Sequence, residues 1–234
     1  MFLQNRKNNY HSSDRGNIRV IKRINTLLLS EYGSPRLGNP EDPLNDLVFL
    51  LLSPRTRYES HMRVYFALKE VCPDFSQLQN VSKQTLIQCV KESGLSKQKV
   101  ERLIACMYDI EKKNGIVSLD NLKTMSEINA ETFLRSLSGV GVKIARCVMM
   151  YTLGHKVFPV DINVFRILSR IRLIEKMDFK RDLTHDTIQQ LIPRKYRYDL
   201  HVNLVMHGRT TCLVRKPKCN QCVINDQCKF AYNV

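Results

Sequence analysis

Apolar residues recur along this chain at helical spacing and almost never in strict alternation. Ile18, Ile21, Ile24, Leu28 and Leu29 stripe one face of a helix that closes at Tyr32-Gly33. A Pro/Gly loop over 34–43 follows. Residues 44–52 are apolar at nearly every position and are stopped by Pro54, so they predict a central helix buried on most sides. Further helices are predicted over 59–71 and over 82–93, the latter with Ser82 as N-cap and Gly94 just past its end. The loop 94–99 launches another through Lys112. Residues 115–119 are a connector, and 122–128 and 131–136 are short helices. Ile144, Val148 and Tyr151 mark the next helix. Ile162, Val164, Phe165 and Leu168 mark one running from Asp161 to about Arg172. After a polar loop over 177–183 come helices at 187–192 and 196–208. There is no internal repeat, no series of strand patterns and no β-α alternation. The expected fold class is all-α, with short connectors packing helices against near neighbours.

The chain is organised around residues 137–166. Leu137-Ser-Gly139-Val140-Gly141 is a tight turn opening a helix, and both glycines are free to take positive φ there. A helix N-terminus with bare N–H groups is a ready phosphate site. Lys143 lies in the first turn of that helix, at the positive end of its dipole, where a cation is disfavoured. The position suits a lysine that sheds its proton to act as a nucleophile. Asp161, after Pro159-Val160, lies one helix and one loop further on. Plainer readings stand beside these: Gly-x-Gly before a helix is common, Lys143 can simply bind phosphate, and Asp161 can simply cap the following helix.

Charge narrows the partner. The chain has 234 residues and 43 % hydrophobic content, enough for one large or two small domains. Its 37 Lys and Arg against 22 Asp and Glu give a net charge of +15. Such an excess points to a polyanion. No stretch is apolar for long enough to span a bilayer, and the polar, basic start lacks the apolar core of a secretory signal. The expectation is an intracellular protein whose partner is nucleic acid rather than a membrane surface, in cytoplasm, nucleoid, nucleus or organelle. Residues 1–17 read as a basic mobile arm. Arg55-Thr56-Arg57 forms a basic corner suited to phosphate or a base edge, or a merely solvated one. Leu95 is an apolar residue at a basic helix junction, either a wedge for a base stack or a packed loop leucine.

Cysteine adds a second chemistry. Of eight cysteines, Cys72, Cys89, Cys106 and Cys147 are scattered through apolar helical patterns and read as buried thiols. Cys212, Cys219, Cys222 and Cys228 instead form a C-x6-C-x2-C-x5-C run. Four thiolates so close in an intracellular chain read as a metal site rather than disulfides. Zinc and iron–sulfur both accept four thiolates, and a run with a single C-x2-C fits a [4Fe–4S] cluster better. Arg215, Lys216 and Lys218 lie between the first two cysteines, where a braced loop would present them to a DNA backbone.

Together the Leu-x-Gly-Val-Gly-x-Lys hairpin, the downstream Val-Asp and the terminal cysteine run resemble the endonuclease III family, iron–sulfur DNA glycosylases of the helix-hairpin-helix superfamily. The resemblance extends from the first helix to Cys228. It implies two helical subdomains flanking a DNA-binding cleft, divided as an arm at 1–17, an N-terminal helix and linker at 18–42 packing with the cluster subdomain, a hairpin-bearing subdomain at 43–155 and a cluster subdomain at 156–234. It implies Lys143 as Schiff-base nucleophile, Asp161 as catalytic aspartate, and Cys212, Cys219, Cys222 and Cys228 as ligands of a [4Fe–4S] cluster. Leu95 matches the leucine that intrudes into DNA, and Arg55, Gly139, Val140, Gly141 and Lys216 complete the implied DNA contacts. One position departs: Arg55 stands where the family has a glutamine, and arginine can donate to an orphaned base but cannot accept from it.

The implied activity is removal of damaged, oxidised pyrimidines from double-stranded DNA by a monomer, followed by β-elimination at the abasic site. The alternatives are a uracil/thymine mismatch glycosylase with weak or no lyase activity, and a non-catalytic DNA-binding iron–sulfur protein.

Overall fold

The computed structural model describes residues 5–231, and side chains from Gly16 to Ala231. Ten α-helices joined by short 3-10 turns make up the described residues, which contain no β-strand. They divide into two compact units: residues 38–155, and residues up to 37 together with those from 156 onward.

The first unit is built on α2, Pro43–Leu52. Asp42 caps it by accepting from the Asn45 N–H at 2.8 Å, and Pro43 starts it with a preset φ. Nine of its ten residues are buried, including the carboxylate of Asp46, so the solidly apolar segment is a central helix. Against it pack α3 (Tyr58–Val71), α5 (Ser96–Asn114) and α7 (Val142–Thr152), while α4 (Lys83–Cys89) packs on α3 and α5, and α6 (Glu127–Arg135) on α7. Ser82 and Ser126 cap α4 and α6 through their hydroxyls. Gly115, at φ +76°, closes α5 in the left-handed conformation.

The second unit joins the chain's two ends. It contains α1 (Asn5–Tyr32), α8 (Ile162–Arg170), α9 (Asp182–Leu191) and α10 (Arg197–Thr210). Helix α10 packs on both α1 and α8. Gly208 makes this close approach practicable: a Cβ there would stand 2.5 Å from Asn163 Cβ on α8.

Several boundaries differ from those the pattern predicts. Helix α1 begins at Asn5, so the expected mobile arm over 1–17 is helical from that residue, since neither Pro nor a capping stop intervenes before Gly33. The first four residues of that arm lie outside the described residues. The helix expected over 82–93 ends at Cys89 and tightens into a 3-10 turn, Lys91–Ser93. Of the helix expected over 122–128, only a 3-10 turn, Asp120–Thr124, forms, and α6 starts earlier than expected, behind the Ser126 cap. Helix α9 starts at Asp182 because two polar types, Thr184 and His185, share its buried face with Ile188.

Candidate active site

In the first unit, α6 and α7 are joined by a tight hairpin. The Leu137 N–H donates to Leu134 O and the Val140 N–H to Leu137 O, each at 3.1 Å. The buried side chains of Leu137 and Val140 pin the turn inward, and the Ser138 N–H donates to Asp109 Oδ2 at 2.8 Å, tying it to α5. Gly139 takes φ +80°, and a Cβ there would press on Leu51 and Arg102 at 3.4 Å. Gly141 differs from expectation: its φ is −89°, because a single reversal at Gly139 completes the turn. Gly141 serves instead as the extended N-cap of α7, with open space where a side chain would sit. Val140 contributes burial, so the outward groups of the hairpin are the exposed Gly139 and Gly141 and the free N–H groups that begin α7. Such a terminus attracts an anion.

Lys143 is the second residue of α7 and is half-buried. Its charge is felt by Asp46 on α2, which sequence reasoning missed. Asp46 is fully buried; Oδ1 accepts from Asn39 Nδ2 at 2.6 Å, while Oδ2 has no hydrogen-bond partner. Burial pushes its carboxyl up to about 7, and the Asn39 bond and the Lys143 charge oppose that rise.

Arg55 and Leu95 stand in the same unit, both exposed and both in the left-handed backbone region, at φ +57° and +52°. Leu95 is 43 % exposed, so it is not a packed loop leucine. Between them lies a buried lysine absent from the sequence-based set. Lys99 Nζ donates to Thr56 Oγ1 at 2.6 Å and to Ser93 O at 2.9 Å. Burial lowers Lys99 to about 8.

In the second unit, Asp161 caps α8. Its Oδ1 accepts from the Val164 N–H at 2.8 Å and its Oδ2 from Asn163 Nδ2 at 3.1 Å. The capping reading is therefore correct in itself, and it leaves a half-buried carboxylate at the mouth of a helix.

The four clustered cysteines follow α10 in the same unit and form no disulfide. Two arginines of α8, one turn apart, hold their loop. Arg166 donates to the carbonyls of Gly208 and Cys212, both at 2.9 Å. Arg170 donates to Leu213 O at 2.7 Å, to Val214 O at 3.1 Å and to Cys212 Sγ at 3.1 Å, and stacks 4.5 Å over Phe230. His207 lies between Tyr32 Oη, 2.8 Å from Nδ1, and Cys222 Sγ, 3.3 Å from Nε2; burial lowers it to about 4, so the ring is neutral. Burial raises the Cys222 thiol to about 11; a backbone hydrogen bond at Ile224 opposes that rise, and Cys212, Cys228 and Cys219 add to it. Among the described residues no group of three or more His, Cys, Asp or Glu is placed to hold a metal ion. Lys216 is exposed on this loop at φ +50°.

Residues 48–194 match the HhH-GPD superfamily base excision DNA repair protein family. The chain belongs to that family. Within it, the chain is 34 % identical to endonuclease III of Haemophilus influenzae over 146 residues, covering 62 % of this chain and 64 % of that protein. It is 27 % identical to endonuclease III of Escherichia coli K12 over 84 % of this chain and 88 % of that protein. A putative DNA glycosylase of Arabidopsis thaliana is 29 % identical over 76 % of this chain. The chain thus spans less than two thirds of the Haemophilus and Arabidopsis relatives, and that match extends to 62 % of the Arabidopsis protein. Among solved structures, an endonuclease III–DNA complex superposes with a TM-score of 0.78 at 19 % identity, covering 91 % of this chain and 95 % of that one. A thermostable thymine-DNA glycosylase superposes with a TM-score of 0.77 at 21 % identity, over 92 % and 98 %. Membership of a helix-hairpin-helix DNA-repair family with the endonuclease III fold agrees with the expectation from the motifs. No helix among the described residues is long and apolar enough to cross a membrane.

Proposed function

We propose that this chain is a base-excision DNA glycosylase with lyase activity, acting as a monomer on duplex DNA that carries a damaged pyrimidine or an abasic site. The observation that carries the reading is Lys143 in the first turn of α7, behind an exposed hairpin whose free N–H groups are suited to a DNA phosphate. A phosphate-binding hairpin alone serves any DNA-binding protein. A lysine at that helix mouth adds a nucleophile.

In this reading the target nucleotide leaves the stack, at a cost lowest for damaged or mismatched pairs. The free amine of Lys143 attacks C1′ of the deoxyribose, and the base departs with the electrons of the N-glycosidic bond. Asp161 takes the lysine proton or stabilises the positive charge developing at the sugar. The nitrogen lone pair then expels O4′ from C1′, O4′ takes a proton as the sugar ring opens, and the open-chain imine results. Loss of its C2′ proton expels the 3′ phosphate, and water releases Lys143. Leu95 and Arg55 occupy the space the nucleotide vacates.

Cys212, Cys219, Cys222 and Cys228 fit a thiolate-ligated group. Their C-x6-C-x2-C-x5-C spacing, with a single C-x2-C pair, supports a [4Fe–4S] cluster over a zinc ion. When bound, the cluster supplies a rigid brace for the loop bearing Arg215, Lys216 and Lys218, whose charges face DNA phosphates.

Arg55 favours a second reading at the level of substrate. A donor-only side chain opposite an orphaned base suits carbonyl-bearing bases such as guanine, so uracil or thymine mismatched with guanine is the rival substrate class. Excision over a panel of oxidised pyrimidines, uracil and thymine, each against all four opposite bases, tests both. Base release with strand nicking on oxidised pyrimidines is expected. Release of mismatched uracil or thymine without nicking would replace the lyase reading, and neither release nor nicking would leave only DNA binding.

A further inference from the structure

The Arg55 corner and the Leu95 loop are separate in sequence but share one buried polar node. Thr56, next to Arg55, accepts from Lys99 Nζ at 2.6 Å, and its own hydroxyl reaches Ser93 O at 3.0 Å. Lys99 also donates to Ser93 O at 2.9 Å, two residues before Leu95, and its backbone N–H donates to Leu95 O at 3.0 Å. Lys99 and Ser93 are 2 % and 3 % exposed, so water does not compete for these bonds. At each edge of the node a non-glycine residue is held at positive φ with its side chain exposed, a conformation that persists only where its surroundings impose it.

Burying an ammonium against a hydroxyl and a carbonyl, with no carboxylate among those partners, is an expensive way to fill a helix junction. An apolar side chain would pack there at lower cost. The geometry points to a positional task. We infer that Lys99 is a positioning residue that fastens the Arg55 corner to the Leu95 loop through Thr56 and Ser93, so that both side chains enter the base stack as one rigid wedge. Lys99 itself touches no DNA. The inference rests on the reading of Arg55 and Leu95 as the residues that fill the vacated space.

The wedge matters only when a stack must be opened. The test therefore compares borohydride trapping on a duplex containing an abasic site with trapping on the same abasic strand alone. Lys99→Met and Thr56→Val are each expected to slow duplex trapping by roughly tenfold or more, as for a lost charge-assisted hydrogen bond, and to leave single-strand trapping unchanged. Thr56→Ser keeps the hydroxyl and should restore the wild-type rate. The double variant should be no slower than either single one. If Lys99→Met does not fold, judged by thermal melting, Thr56→Val carries the comparison. Equal slowing on both substrates, or no slowing on the duplex by a folded variant, would overturn the inference. Wild-type protein that traps neither substrate would overturn the lyase reading itself.

Discussion

Asp161 accepts a hydrogen bond from the Val164 N–H at 2.8 Å and so holds the first turn of α8 while serving as the proposed catalytic carboxylate. The two roles separate by substitution. Asparagine caps a helix about as well as aspartate, so Asp161→Asn should melt within a few tenths of a kcal/mol of wild type, whereas Asp161→Ala should lose about 1 kcal/mol. Both should lower single-turnover base release by roughly 10²-fold or more. Release at the wild-type rate by the asparagine variant would leave Asp161 only its cap.

Gly208 and Asn163 bring α10 and α8 together, with no room for a Cβ at 2.5 Å. Gly208→Ala is expected to cost about 1–3 kcal/mol, since backbone or Asn163 must shift. Thermal melting measures it. Because the Gly208 carbonyl also accepts from Arg166, the displaced helix should loosen the cysteine loop as well.

Asp46 predicts a pH dependence of stability. Its carboxyl is raised from 3.8 to about 7 in the fold, chiefly by burial. Below about pH 4 both states hold the proton and the group is neutral in its effect. From there to about pH 7 the unfolded chain ionises first, so stability falls as pH rises, by at most about 4 kcal/mol. Above that the deficit is constant. Asp46→Asn should therefore raise the melting temperature at pH 8 by several degrees and change little at pH 4. An equal shift at both pH values would contradict the assignment.

The helices and the hairpin were legible from spacing, because apolar stripes and Gly-Val-Gly chemistry are local. The cysteine run and the lysine behind the hairpin were legible as chemistry. Lys99, Asp46 and the Arg166–Arg170 pair were not. Each is a polar residue within a helical pattern that looks ordinary until the fold brings Thr56, Asn39 or the Cys212 loop beside it. Gly141 shows the converse limit: glycine permits positive φ, but the turn spends that freedom only at Gly139.

Arg170 anchors the loop through Leu213 O, Val214 O and Cys212 Sγ. Purified protein is expected to contain iron and acid-labile sulfide rather than zinc, and Arg170→Met should release iron to a chelator several-fold faster. Stoichiometric zinc would refute the cluster, and iron retention equal to wild type would remove the bracing role of Arg170.

The central claim concerns one bond, between Lys143 Nζ and C1′ of the sugar. Borohydride reduction during reaction with an abasic-site duplex should leave a stable protein–DNA adduct in the wild type and none in Lys143→Gln, with duplex affinity largely retained. Mass spectrometry should place the adduct on the peptide containing Lys143. An adduct that persists in Lys143→Gln, or maps to another lysine, would contradict the account.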